Sequence, residues 1–176
     1  MMRTISKIML VIAMAFASFA LSAQTKDFRT PGYKGSVSLI DQYGVWAGFE
    51  TSHGIMFDRH IYLGLGSSVS FCLPELDGDT PVFGNLFVDF QGYLLDRKST
   101  PVLGYKAGFM KALNANQSSG WNFTKAAFIE PNAGWSWIMK NGSGFTTSLG
   151  AAVYKPLGNS TKNYVIMPKL SLTFEF

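Results

Sequence analysis

The last 13 residues of the chain alternate between two kinds of position. Successive side chains of a strand point to opposite faces, so a period of two predicts a β-strand with one apolar face. A register shift of one residue would exchange the two faces, which makes the pattern informative. One face comprises Tyr164, Ile166, Pro168, Leu170, Leu172, Phe174 and Phe176, and the other comprises Val165, Met167, Lys169, Ser171, Thr173 and Glu175.

The same alternation recurs upstream in seven further segments. Several segments are about ten residues or longer. This length exceeds that of a usual strand in a soluble protein and matches the roughly 9–11 residues of a tilted membrane strand. The pattern predicts an all-β fold, an eight-stranded antiparallel up-and-down transmembrane β-barrel. The eight segments are 36–39, which is the weakest, 45–57, 61–72, 85–94, 103–110, 127–137, 145–154 and 164–176.

The connections between these segments alternate in length. Short, turn-like links at 57–60, 96–99 and 140–142 alternate with longer polar links at 74–80, 114–120 and 156–163. Outer-membrane barrels have short periplasmic turns and longer extracellular loops. An even number of strands then leaves both termini in the periplasm. The link near 41–44 is the exception, since it is short although it falls on the long-loop side.

The more polar face of each segment is rich in Gly and Ser, and its charges are few. A surface in contact with water would carry denser Lys and Glu, so this face is predicted to line the lumen. Its polar and charged cluster could be an ion path or a plug, and a plug is favoured because eight strands leave room only for side chains. Lys106 is expected to pair with Asp89 or Glu130. The cluster comprises Glu50, Asp89, Lys106, Glu130, Asn132, Lys169 and Glu175.

Aromatic residues gather near the predicted strand ends. Outer-membrane barrels place Trp and Tyr at both membrane interfaces, so these residues are predicted to form two outward-facing girdles. They are Tyr33, Trp46, Phe57, Trp121, Trp135, Trp137, Tyr164, Phe174 and Phe176.

Composition supports an exported membrane barrel. Charged residues make up 15% of the chain, against about 25% in soluble domains. Residues 1–23 resemble a cleaved signal peptide, helical before cleavage, with a basic start, an apolar stretch and a small-residue site after Ala23 or Ser22. The apolar stretch is shorter than a membrane-spanning helix needs. Residues 24–176 then form the barrel. Their charge of about +2 gives no reason to expect nucleic acid.

The C-terminal strand resembles the signal by which outer-membrane barrels are recognised for assembly. It ends in an aromatic residue and has apolar residues at every second position before it. The segments 32–35, 51–54 and 62–66 look like those of small Bacteroidetes outer-membrane proteins with an OmpA/OmpX-like barrel. The resemblance implies location in the outer membrane and contact with the barrel-assembly machinery. The residues of this C-terminal assembly signal are Leu170, Leu172, Phe174 and Phe176.

No catalytic constellation stands out from the sequence. Ser52 and His53 are adjacent on a strand and point to opposite faces, which is the wrong geometry for a hydrolytic pair. His53 is more simply a polar anchor at the inner interface. The acidic run 75–79 lacks the ligand count of a calcium loop, and the single Cys72 cannot form an internal disulfide. We expect no cofactor and no metal.

The expected function is a non-enzymatic outer-membrane barrel that acts structurally or presents its extracellular loops to an unknown ligand. Its other expected partners are the outer-membrane lipids. Three alternatives stay open: a narrow channel or transporter, a lipid-modifying outer-membrane enzyme, and a soluble exported barrel that binds a lipid-like ligand. An apolar interior would favour the last of these.

Overall fold

A computed structural model describes residues 29–73, 81–114, 124–139, 142–157 and 164–176. The predicted signal peptide, the acidic run 75–79 and Trp121 lie outside these residues. Within the described part of the chain, no helix is long and apolar enough to cross a membrane. The described residues form eight antiparallel strands that close into a barrel in sequence order. They are β1 (Gly32–Gln42), β2 (Trp46–Met56), β3 (Ile61–Cys72), β4 (Val82–Tyr93), β5 (Ser99–Ala112), β6 (Lys125–Ile138), β7 (Gly144–Pro156) and β8 (Val165–Glu175).

The predicted strand count and order are confirmed, but several strands are longer than the alternation indicated. The first segment, predicted at 36–39, is an 11-residue strand. β5 and β6 have 14 residues each. The ends of β1 are rich in glycine and polar residues, which hides the period of two. These ends are held in the sheet by backbone pairing with the neighbouring strands. The alternation of residues in the sequence gives no information about this pairing.

The register of the strands fixes the slope of the barrel. Directly opposed residues, followed once around all eight ladders from Gly32, return to β1 at Gln42, ten residues further along. A stagger of ten residues over eight strands corresponds to a strand tilt of about 40°. Side chains at one height in the lumen therefore come from very different positions along their strands.

The link between β1 and β2 has three residues, Tyr43 to Val45, and is built on a tight turn whose central residues are Tyr43 and Gly44. Tyr43 and Gly44 have φ values of 61° and 65°, and the Val45 amide donates to the Gln42 carbonyl at 3.1 Å. Positive φ at both central residues is the mark of a type I′ turn, which matches the twist of an antiparallel pair. The Asp41 carboxylate accepts the Gly44 amide at 2.8 Å and supports the turn. This explains the short link at 41–44.

The outer wall of the barrel is an apolar belt of exposed Leu, Ile, Val and Phe side chains from all eight strands. An aromatic group lies at the end of the barrel that carries the short turns. Trp137 stacks on Phe145 with ring centroids 6.3 Å apart, and Trp135 donates to Ser99 Oγ at 2.6 Å. Tyr33 and Phe57 are exposed at the same end. The outward apolar face and this girdle match the sequence prediction.

Trp46 does not belong to a girdle, and the prediction for this residue is wrong. Its side chain is 1% exposed and faces the lumen. It stacks on Phe83, with ring centroids 4.6 Å apart and an interplanar angle of 13°. Position 46 follows the turn directly, and the alternation of β2 carries it to the inner face together with Gly48 and Glu50.

Candidate functional site: the filled lumen

Four buried charged residues meet in the middle of the lumen. Lys169 donates to Glu50 at 2.9 Å and to Glu130 at 2.7 Å. Lys106 contacts the second oxygen of Glu50 and lies 3.8 Å from Glu130. Each lysine thus bridges both carboxylates, and all four side chains are less than 10% exposed. We call these four residues the central quartet. Its charges compensate each other, as buried charges require.

A second polar cluster fills the lumen at the end with the short turns. Lys34 lies 3.2 Å from Glu175 and contacts the Tyr93 hydroxyl. Glu175 also accepts hydrogen bonds from Thr146 at 2.7 Å and from Tyr93 at 3.1 Å. The guanidinium of Arg29 lies over the Tyr93 ring, 4.2 Å from its centroid. These five residues, which we call the turn-side cluster, close this end of the lumen.

All seven predicted lumen residues lie on the inner face, and six of them are buried. The predicted pairing of Lys106 with Glu130 occurs, although Glu50 is the nearer partner. Asp89 lies opposite Lys106 in the ladder, but its carboxylate accepts from Gln91 Nε2 at 3.1 Å instead. The half-buried Asn132 lies beside Gly104, where a Cβ would clash with the Asn132 amide.

The positive and negative charges inside the barrel are equal in number among the described residues. The four buried basic residues are Arg29, Lys34, Lys106 and Lys169, and the four buried acidic residues are Glu50, Asp89, Glu130 and Glu175. The sequence prediction missed Arg29 and Lys34. Lys34 precedes the segment in which the alternation of apolar and polar residues is recognisable, and Arg29 precedes β1. The alternation therefore does not indicate which side of the wall either residue occupies.

The half of the lumen nearer the longer links is lined largely by apolar side chains, which the prediction of a polar inner face did not include. Trp46, Phe83 and Tyr154 belong to a buried cluster there, and the Tyr154 ring lies 5.6 Å from that of Phe128. Tyr154 keeps its hydroxyl paired, since Gln42 Nε2 donates to it at 2.9 Å. The other members of this aromatic cluster are Cys72, Phe87, Met110, Ala126 and Ala152. Cys72 is buried, as expected for a small structural side chain.

His53 and Ser52 are separated by the wall of the barrel. Ser52 is buried and its hydroxyl is 2.8 Å from the Tyr62 hydroxyl, whereas His53 is exposed on the outer wall. The imidazole joins two hydroxyls: Nδ1 is 2.6 Å from Tyr33 Oη, and Nε2 is 2.9 Å from Thr51 Oγ1. Among the contacts of the described residues, no carboxylate lies at this imidazole. The arrangement anchors the girdle and lacks the acid of a hydrolytic triad.

The comparisons with solved structures agree with this architecture. Neisserial surface protein A is 10% identical, with a TM-score of 0.54 over 81% of this chain and 92% of that one. The N-terminal β-barrel domain of Pseudomonas aeruginosa OprF is 12% identical, with a TM-score of 0.50 over 82% and 96%. The outer membrane enzyme PagL is 11% identical, with a TM-score of 0.51 over 81% and 98%. No protein-family model matches the chain, and no curated protein matches it significantly.

At such low identity these likenesses concern the fold alone. They confirm the predicted fold class, a closed eight-stranded antiparallel up-and-down barrel of the kind found in outer-membrane proteins. Because one similar structure is an enzyme, the fold by itself does not decide whether a protein catalyses a reaction. The predicted resemblance to Bacteroidetes proteins stays a prediction.

Proposed function

We propose that the protein is a non-enzymatic integral barrel of the bacterial outer membrane, with a closed lumen, that acts through its outer wall and extracellular loops. The observation that carries this proposal is the inversion of the usual burial pattern. Leu65, Leu86 and Ile166 are each more than 65% exposed, whereas Glu50, Lys169 and their partners are buried. A soluble barrel would gain nothing from this arrangement, while a bilayer removes the apolar wall from water.

The aromatic girdle supports the same proposal. Trp137 and Phe145 are directly opposed on the outer wall, and Trp135 occupies the next outward position of β6. The amphipathic rings of Trp favour the membrane interface. Short links occur at this end, which we assign to the periplasm by analogy with known barrels. The protein is proposed to reach the membrane by a signal peptide at residues 1–23 and by a C-terminal signal for the assembly machinery.

Side chains occupy the lumen over its whole height among the described residues. The turn-side cluster, the central quartet and the aromatic cluster succeed one another along the axis. This arrangement favours the plug over the narrow channel. The apolar side chains of the lumen lie in two packed clusters, the aromatic cluster and a smaller one of Met56, Tyr62, Tyr93 and Val102 at the end with the short turns. Since these side chains pack against each other, the arrangement also argues against a soluble barrel with a lipid-like ligand inside.

Membrane fractionation combined with heat modifiability tests the proposal. The protein, expressed with its own N-terminal segment, is expected in the outer-membrane fraction, and the unboiled form is expected to migrate differently from the boiled form on a denaturing gel. Recovery in the soluble periplasmic fraction would contradict the proposal. In planar bilayers, a conductance no different from that of the empty membrane is expected. Stable single-channel steps from the folded protein would instead support a channel.

A further inference from the structure

Three exposed lysines lie together on the outer wall near the ends of β5, β6 and β7. Lys111 and Lys125 are directly opposed across the β5–β6 ladder. Lys155 is opposed to Ala127, one outward-facing position below Lys125, and the Leu157 amide donates to the Lys125 carbonyl at 2.9 Å. Directly opposed Cβ atoms are about 5 Å apart and diagonal ones about 7–8 Å. The three ammonium groups can therefore reach one small anion.

Opposed like charges on adjacent strands destabilise a sheet unless something compensates them. The contacts of the described residues include no acidic partner for any of the three lysines, whereas every lysine in the lumen lies within 4 Å of a carboxylate. The links that flank the lysines, 113–124 and 157–164, contain no Asp or Glu. We call Lys111, Lys125 and Lys155 the lysine triad. Its charge is left uncompensated by these neighbouring segments.

The lysine triad lies at the border of the apolar belt. Phe109 is 65% exposed one outward position below Lys111, and Val153 lies below Lys155. Lysine stems cover apolar surface while the ammonium groups extend to the polar boundary of the bilayer. The triad lies at the end of the barrel that carries the longer links. Under the proposed orientation this end is extracellular, so the triad lies at the level of the headgroups of the outer leaflet.

We propose that the lysine triad binds the phosphate groups of a phosphorylated glycolipid in the outer leaflet. This inference rests on the proposed function, because it requires the barrel to span the outer membrane in that orientation. Phosphate oxygens accept charge-assisted hydrogen bonds from ammonium groups. Three cations on adjacent strands match a phosphate better than a zwitterionic headgroup, whose own positive charge they would repel. The acyl chains of the lipid would lie on the belt beneath.

Native mass spectrometry of the purified, folded protein in detergent tests this proposal with bis-phosphorylated lipid A and the same lipid after removal of both phosphates. We expect the wild type to retain the phosphorylated form preferentially. Neutralisation should weaken this binding about fivefold per lysine, and roughly a hundredfold in the K111Q/K125Q/K155Q variant. The matched control K98Q removes an exposed lysine at the opposite end and should leave binding unchanged.

Heat modifiability of each variant separates a failure of the site from a failure of the barrel. Loss of the heat-modifiable form or of outer-membrane fractionation in the wild type would contradict the proposed function itself. A folded wild type that binds both lipids equally, or a triple variant that binds like the wild type, overturns only the inference about the triad. So would competition by inorganic phosphate at equal affinity, which would make free phosphate the ligand.

The acidic run 75–79 provides one further discriminating variant. β4 follows that run, and its residue Gly84 is opposed to Lys111 across the β4–β5 ladder. Neutralising Glu75, Asp77 and Asp79 should leave lipid binding unchanged if the triad is free to bind phosphate. If only the neutralised variant discriminates between the two lipids, the chain's own loop occupies the lysines and the proposal is wrong.

Discussion

Glu50→Gln probes the central quartet most directly. In the wild type, Glu50 contacts both Lys106 and Lys169, and Glu130 is the second carboxylate of the quartet. The substitution leaves two buried cations with one carboxylate. Removal of one partner from a buried ion pair costs about 3–5 kcal/mol, mostly because the remaining charge stays desolvated. We expect the free energy of unfolding to fall by about that amount.

A compensated double variant separates charge balance from loss of packing. E50Q/K106M removes one charge of each sign and leaves the 2.7 Å pair between Lys169 and Glu130 intact. We expect it to be more stable than E50Q alone, because no buried charge is left without a partner. Coupling energies of neighbouring residues of about 0.5–3 kcal/mol set the scale of this recovery.

Urea titration in detergent micelles, read by the heat-modifiable fraction on unboiled gels, measures these effects. With a slope of about 1–3 kcal/mol per molar urea, E50Q should unfold at least about 1 M earlier than the wild type. The matched control is D96N, which breaks the half-exposed pair between Arg59 and Asp96 and should cost less than about 1 kcal/mol. Strictly additive effects of E50Q and K106M, or equal costs for E50Q and D96N, would refute the reasoning.

Two further predictions concern the wall and a turn. Gly108→Ala places a Cβ 2.7 Å from the Cα atom of Phe87 and should destabilise the barrel by about 1–3 kcal/mol in the same urea titration. The control is Gly92→Ala, whose Cβ would be 3.7 Å from the nearest atom and should not destabilise the barrel. Two backbone amides, of His60 and Ile61, lower the pKa of Asp58. Because the pKa of Asp58 is lowered in the folded state, its ionised carboxylate stabilises the turn at pH values above the ordinary aspartate pKa. This stabilisation is lost as the pH falls through the pKa of the folded state. D58N should therefore reduce the acid sensitivity of unfolding midpoints measured from pH 6 to pH 2.5, and an unchanged pH profile would contradict this assignment.

Alternation was sufficient to assign a side of the wall to most residues of the candidate site. Glu50, Lys106 and Lys169 face inward because each occupies an inner position of its own strand, which needs no knowledge of the other strands. Their partners could not be read in the same way. Glu50 on β2 meets lysines on β5 and β8, and this meeting depends on the barrel diameter and the ten-residue stagger, which are properties of the closed sheet.

The aromatic cluster shows a different limit of sequence reasoning. Parity alone puts Phe128 and Tyr154 on the inner face, yet the general character of that face suggested a polar lumen throughout. A tryptophan at a strand end is typical of a girdle, so the sequence predicts Trp46 on the outer wall. Packing decides these cases. Stacking on Phe83 accompanies the burial of Trp46, which is 1% exposed.

The contrast between the charges inside and outside the wall indicates where a ligand would bind. Four bases and four acids face the lumen among the described residues, and the central quartet holds two of each within 4 Å. An ion entering the lumen would have to displace these short contacts. The contacts of the described residues include no carboxylate partner for the lysine triad, and its flanking links contain no Asp or Glu, so an anion that binds there would break no such ion pair. The electrostatic free energy available for recognition therefore lies on the outer wall, where the proposed lipid would meet it.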